Sequence, residues 1–324
     1  MKLPILPALA LLSSPAFAAV TIDYVNVGNA GNAADSTGYG AVTYAYYIGK
    51  YEVTNAQYAE FLNAADPSGA NANGIYNASM GSDIRGGITY TPGAASGTKY
   101  SVRTNMGNKP VNFVSWYDSA RFTNWLHNGQ GSGSTETGAY TLSGNTGIIT
   151  KNVGATVWLP SENEWYKAAY YDPTTGAGGG DNYWDYPTQS NTAPTVGAAN
   201  ATGNISNPGA NVANFATGAD WNGQDGNVTT VGSALANNYY GTADQGGNLY
   251  EWNDAVMGSN RGVRGGAWGS SAAGELAASF RIAAGSPTTY EGVNVGFRVA
   301  SSVPEPRAAL LGALGLLAVL RRRR

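Results

Sequence analysis

The strongest constraint on the fold is that only three stretches of this 324-residue chain begin as helices do. Each has a Ser or Thr at a prospective N-cap and an acidic or amide side chain three residues later, the two halves of a capping box. Apolar residues then recur at a spacing of three and four, which is that of one helix face. These starts lie at residues 54–57, 115–118 and 161–164. We therefore predict three short helices and no others.

The rest of the chain is typical of short strands and long loops. Candidate strands lie at 44–51, 262–268 and 294–300, bounded by Gly and Asn residues of the kind that form turns. No pattern repeats at the spacing of βαβ units, so the sequence favours an irregular α+β domain over a parallel α/β sheet. We assign this domain to residues 19–302.

The chain has no cysteine and a single histidine. These absences exclude thiol nucleophiles, disulfides, zinc–thiolate sites, iron–sulfur clusters and multi-histidine metal centres. Of the 18 basic residues, Lys2 and the four arginines of 321–324 lie at the ends, which leaves 13 against 21 acidic residues and a net charge of about −8. Such a charge argues against nucleic acid as a partner.

Residues 1–18 have the pattern of a secretory signal peptide. A single Lys2 precedes an apolar run, and the run ends in the small-x-small motif of Ala16, Phe17 and Ala18. We expect export and cleavage by signal peptidase near Ala18. The alternative is an interfacial or buried helix.

The C-terminal segment 303–324 also has the pattern of a targeting signal. Pro304, Glu305 and Pro306 precede an uncharged run at 308–320 and a tail of four arginines. Thirteen helical residues span roughly 20 Å, short of a hydrocarbon core of ~30 Å. The order of these parts resembles the PEP-CTERM sorting signal of Gram-negative bacteria.

That resemblance implies transient membrane association through 308–320 and removal of the segment by an exosortase-type enzyme. The protein would then reach the cell surface or the extracellular matrix. The alternative is a simple C-terminal membrane anchor.

Five blocks of the body resemble one family in the family's own order. They lie at 47–62, 110–125, 159–169, 241–252 and 264–298, although Trp158 stands where the family usually has Arg. The body thus resembles the formylglycine-generating enzyme-like domain, also called the sulfatase-modifying factor domain. That resemblance implies a variant of the C-type-lectin fold.

A glycine-rich stretch of the fourth block is a candidate Ca²⁺ site. Its glycines surround three oxygen-bearing side chains, and Ca²⁺ prefers six to eight oxygen ligands. The resemblance implies ligation by the side chains of Asp244, Asn248 and Glu251 and by the carbonyls of Gly247 and Leu249. It implies a second, more loosely matching site at Asn214, Phe215, Asp225 and Asn227. The alternative for both is a polar turn without a metal.

The missing residues bear on catalysis. Enzymes of this family activate copper with two cysteines after the Arg-Gly-Gly strand, and the related sulfoxide synthases hold iron with several histidines. Here the segment 268–274 has serines and no sulfur, and a serine hydroxyl is a poor copper ligand. We therefore expect no copper, iron or zinc site and no formylglycine generation.

The sequence then predicts an exported, non-catalytic protein that uses a lectin-like scaffold for binding or structure. Its partner would be exopolysaccharide or another surface protein. The alternatives are an enzyme with an unrecognised site and an accessory modification factor for an exported partner.

Several conspicuous residues have simple structural interpretations. We expect the tryptophans at 116, 165, 252 and 268 to fill the core rather than stack on sugars. Glu162 and Glu164 are predicted to serve helix capping, and His127 is predicted at the surface. Arg264 and Arg298 are predicted to donate to backbone carbonyls.

Overall fold

The computed structural model describes residues 19–143, 148–174, 180–282 and 285–302. The predicted signal peptide, including Ala18, and the predicted sorting segment, including Pro304, Glu305 and Pro306, lie outside the described residues. Within the described ranges, no helix is long and apolar enough to cross a membrane.

Four α-helices lie in the described part of the chain: α1 (Asn55–Ala65), α2 (Ser79–Ser82), α3 (Trp116–His127) and α4 (Glu162–Tyr170). The three predicted helices are α1, α3 and α4, and each begins at a complete capping box on the expected residues. The single turn α2 was missed because its N-cap, Ala78, makes no side-chain hydrogen bond. A 3₁₀ turn at Ala273–Leu276 completes these elements.

In the ranges that the structure describes, twelve short strands form two larger sheets and two small ones. They are β1 (Tyr24–Val27), β2 (Tyr46–Gly49), β3 (Ile88–Tyr90), β4 (Tyr100–Val102), β5 (Val157–Trp158), β6 (Thr195–Val196), β7 (Val212–Ala213), β8 (Tyr250–Met257), β9 (Asn260–Arg264), β10 (Ser286–Pro287), β11 (Val295–Phe297) and β12 (Ala300–Ser301). The larger sheets have the orders β1-β2-β12-β5 and β10-β9-β8-β11, and β3-β4 and β6-β7 are separate pairs. The irregular α+β class is therefore confirmed.

Each predicted strand segment contains strand residues, but its ends differ from those of the observed strands. The segment 44–51 contains β2, but 262–268 covers only the end of β9, because the chain turns at Gly265 and Gly266, where φ is +98° and +70°. The segment 294–300 divides into β11 and β12, which join different sheets. The longest strand, β8, was missed, since its first residues were interpreted as part of a glycine-rich turn.

Aromatic side chains fill the main core where α1, α3 and β11 meet. Tyr58 and Phe61 of α1 pack on Phe122 of α3 with ring centroids 5.9 and 5.4 Å away, and Phe122 lies 5.4 Å from Phe297. Trp116, Trp165 and Trp252 are 0% exposed and Trp268 is 9% exposed, which confirms that the four tryptophans are core residues.

Candidate functional site

A buried ion pair lies at the centre of the region where the sequence predicts function. Arg298, just after β11, donates from Nε and Nη2 to the two carboxylate oxygens of Glu251 on β8, both at 2.6 Å. Its remaining bonds reach the carbonyls of Gly49, Lys50 and Ala243 at 2.9–3.1 Å. Arg298 thus links β8 to the C-terminal end of β2 and to the 241–249 loop. This confirms its structural role.

This pair affects the first predicted Ca²⁺ set. Glu251 also accepts from the indole N–H of Trp165 at 2.8 Å, so protein donors engage both of its oxygens. The amide oxygen of Asn248 accepts from the Thr229 N–H at 2.9 Å, and the Asp244 carboxylate accepts from the Gly232 N–H. Each of the three side chains therefore has at least one oxygen that already accepts a hydrogen bond from the protein. Among the described residues, no group of three or more acidic or histidine side chains is placed to hold a metal.

The backbone of this loop is hydrogen-bonded to neighbouring segments. The Asn248 carbonyl accepts from the Trp268 N–H at 2.8 Å, and the N–H of Gly247 donates to Gly265. Leu249, the fifth predicted ligand, has a fully buried side chain, and its own N–H donates to a carboxylate oxygen of Glu52 at 3.3 Å.

Glu52 is the functional-site residue that the sequence analysis missed. Its other carboxylate oxygen accepts from Asn248 Nδ2 at 3.2 Å. Burial, followed by the charges of Asp244 and Glu251, raises the pKa of Glu52 well above its usual range. Burial also raises the pKa of Asp244 to about 6. Three acids therefore surround one arginine. Glu52 follows β2 and lies inside the first family block at 47–62, but nothing in that block assigns it a role.

The second predicted Ca²⁺ set is divided by the fold. Asn214 and Asn227 are buried and joined by a bond from Asn214 Nδ2 to the Asn227 carbonyl at 2.8 Å. The same Nδ2 lies 3.3 Å from the amide oxygen of Asn248, so the two predicted sites are neighbours. Phe215 instead packs in an apolar cluster with Leu276, and the Asp225 side chain is exposed.

One oxygen of this second set is suited to a cation. Asn214 Oδ1 is buried and has no hydrogen-bond partner. A buried acceptor without a donor is unusual, and a metal ion or an ordered water would satisfy it. A single such oxygen fits Ca²⁺ chemistry but does not make a complete ligand set.

The segment that follows β9 contains a hydrogen-bonded cluster. Ser270 Oγ donates to a Glu275 carboxylate oxygen at 2.9 Å, the Tyr250 hydroxyl donates to the same oxygen, and Ser271 N–H donates to the other at 3.0 Å. Burial alone would raise the pKa of Glu275, but these hydrogen bonds outweigh it and the pKa is lowered. A carboxylate stabilised in this way is a weak base for activating Ser270.

The two glutamates of α4 have different partners. Glu164 accepts from the Ser161 N–H at 2.7 Å and from the Trp158 indole N–H at 3.1 Å, so Trp158 supplies a neutral donor where the family usually has Arg. Glu162 does not cap the helix; it pairs with Arg264 at 2.7 Å and Arg281 at 2.6 Å. The capping interpretation is therefore right for Glu164 and wrong for Glu162.

Arg264 and His127 have the structural roles that the sequence predicts. Besides its ion pair, Arg264 donates to the carbonyls of Ala278 and Phe280 at 3.1 and 2.6 Å. His127, partly exposed at the end of α3, contacts the Thr156 hydroxyl at 2.9 Å.

The short helices, small sheets and long loops define a C-type-lectin-like domain of mixed α and β structure. Residues 26–303 match the family model described as the sulfatase-modifying factor enzyme 1-like domain, and the chain belongs to that family. This confirms the resemblance found in the sequence.

The solved structures that are similar to the chain include the following three. Variable protein 1 of Treponema denticola is 20% identical and is matched over 89% of this chain and 97% of its own, with a TM-score of 0.46. CarF is 21% identical and is matched over 87% of this chain and 98% of its own, with a TM-score of 0.48. PvdO from Pseudomonas aeruginosa is 18% identical and is matched over 88% of this chain and 93% of its own, with a TM-score of 0.41. No curated protein matches the sequence.

Proposed function

We propose that this member of the family is an exported, non-catalytic protein of the cell surface or extracellular matrix, which uses its domain for binding or structure. Signal peptidase and an exosortase-type enzyme would process its two ends. Its partner would be exopolysaccharide or another surface protein.

The observation that carries the proposal is the chemistry of the segment after β9. Where the family's copper enzymes have two cysteines, this chain has Ser270 bonded to the Glu275 carboxylate, which Tyr250 also contacts. A serine hydroxyl stays protonated at neutral pH and is a poor copper ligand beside a thiolate. Since Glu275 is a weak base, the cluster is suited to holding the loop rather than to forming a nucleophile.

Calcium belongs to the proposal as a structural ion only. Its support is the unpartnered Asn214 Oδ1, next to Asn248. The acids of the 241–251 loop, Asp244 and Glu251, lie in the same region and would supply the negative charge that Ca²⁺ prefers.

The test of the non-catalytic role is an aldehyde assay. The purified chain would be incubated with copper, oxygen and a cysteine-bearing sulfatase peptide, beside a formylglycine-generating enzyme that has the cysteine pair. We expect aldehyde from the enzyme and none from this chain. Aldehyde formed by this chain would contradict the proposal.

A further inference from the structure

A cleft of about 370 Å³ lies at the tip of the β8–β9 hairpin. Met257 and Asn260 pair at this tip, whereas Glu251 and Arg264 pair at the other end of the hairpin. Met257 is six residue steps, roughly 20 Å of extended strand, from Glu251. Ser270 lies at the Glu251 end of the hairpin, where its hydroxyl is 3.5 Å from that of Tyr250. The cleft is therefore separate from the region where the family's metal chemistry occurs.

The walls of the cleft are aromatic and aliphatic. The first two residues of α3, Trp116 and Tyr117, lie on one side with ring centroids 5.6 Å apart. Ile148 and Val256, 63% and 42% exposed, lie on the rim. Single exposed aliphatic residues are ordinary, but two that line one cleft with an aromatic pair offer a ligand an apolar surface.

Polar groups accompany these apolar walls. Ser259 and Thr288 line the cleft with hydroxyl groups. Trp116 is fully buried, and its indole N–H has no acceptor. Because Trp116 is 0% exposed, this N–H is not open to a ligand, and the hydroxyls of Ser259 and Thr288 are the groups suited to a polar ligand atom.

Among the described residues that line the cleft, only Arg261 is charged, and its guanidinium is engaged by the protein. Arg261 Nη1 donates to the Asp254 carboxylate at 2.8 Å, and Nη2 donates to the Ile149 carbonyl. The guanidinium carbon lies 3.9 Å from the ring centroid of Trp116, so a face of the group is covered as well. Its charge and these donors are not free for an anionic ligand, which favours an uncharged one.

We propose that the cleft binds a neutral sugar unit of a glycan. A sugar ring combines C–H faces, which suit Tyr117, Ile148 and Val256, with hydroxyls, which suit the hydroxyls of Ser259 and Thr288. The volume lies at the lower end of small-molecule sites, about 300–1,000 Å³, which suits one or two rings. This inference rests on the proposed function, since it names the ligand class of a binding protein.

The test uses the purified full chain and a panel of neutral mono- and disaccharides, with binding followed by saturation-transfer NMR and affinity measured by calorimetry. Ile148→Asp places a charge on the apolar wall and should lower the affinity at least about tenfold. Leu235→Asp is the matched control, because Leu235 is 67% exposed and does not line the cleft. It should bind as the unmodified chain does.

Two outcomes would overturn the inference: no binding by any sugar of the panel, or equal binding by Ile148→Asp. If matrix polysaccharide bound the chain and Ile148→Asp equally well, the proposed function would survive and the cleft would be wrong. Aldehyde formation in the earlier assay would contradict the proposed function while leaving sugar binding at the cleft measurable.

Discussion

Glu251 and Arg298 face each other through two hydrogen bonds of 2.6 Å, with both side chains 0% exposed. Replacing Glu251 with Gln would leave the Arg298 charge buried beside weaker acceptors. We expect this to lower the free energy of unfolding by about 3–5 kcal/mol, measured by urea denaturation. The control is Glu136→Gln at the Arg121 pair, whose side chains are 17% and 23% exposed, so that a smaller loss is expected. Equal losses in the two variants would contradict the structural role of the buried pair.

The buried aspartates predict that stability falls as the pH rises. Burial raises the pKa of Asp244 to about 6 and those of Asp118 and Asp254 to about 7, whereas an unfolded Asp titrates near 3.9. The folded state therefore binds protons more tightly, and this stabilisation is complete below pH ~4 and is lost as the pH rises through 6–7. The melting temperature should be higher at pH 5.5 than at pH 8.

Asp118→Asn tests whether the buried aspartates cause this pH dependence, because an amide oxygen can still accept from Ser115 but does not titrate. The variant should show a smaller difference between the two pH values. A melting temperature that rises from pH 5.5 to pH 8 would refute the assignment.

The Trp158 donor should matter to stability. Trp158→Phe removes the indole N–H that Glu164 accepts, and a hydrogen bond to a charged group contributes about 1.5–3 kcal/mol. Trp268→Phe is the control, because its indole N–H has no acceptor and only packing is lost. Thermal unfolding should show the larger loss for Trp158→Phe, and Trp158→Arg should recover part of it through an ion pair with Glu164. A Trp158→Phe loss no greater than the control's would count against this bond.

Calcium removal tests the remaining metal prediction. If the ion is structural, chelation should lower the melting temperature, since a ligand at 100 times its Kd contributes about 2.7 kcal/mol. Asn214→Leu should remove this effect, because it deletes the unpartnered Oδ1. An unchanged melt, with no metal in the purified protein, would reject the site.

Replacement of the C-terminal arginines tests the predicted sorting signal. Replacing the four arginines of 321–324 with Ser should leave the precursor misrouted or unprocessed, because positive charge holds such a tail on the cytoplasmic side. Cell fractionation and the mass of the mature chain would report this. Unaffected surface delivery would be the contrary result. Lys at the same four positions is the control, because it keeps the positive charge and should leave delivery unchanged.

The sequence predicts helix starts well, but it does not predict which strands or which charged residues pair. The capping box of Ser161 and Glu164 depends on residues three apart, so the start of α4 was readable without any tertiary contact. In contrast, β11 and β12 follow one another in the chain but pair with β8 and with β2 and β5, a division that no local pattern reveals. Glu162 was misinterpreted for the same reason, since its partners lie 102 and 119 residues away.

By itself, the sequence determined the three main helices, the family and the absence of the sulfur that the family's copper chemistry uses. These depend on residue identity and on neighbours a few positions away. Only the tertiary structure decided that Glu251 belongs to Arg298, that Glu52 joins Asn248 across 196 residues, and that Trp116 lines a cleft. Ion pairs, buried acids and cavities depend on which distant segments pack together, because burial and proximity set their energies.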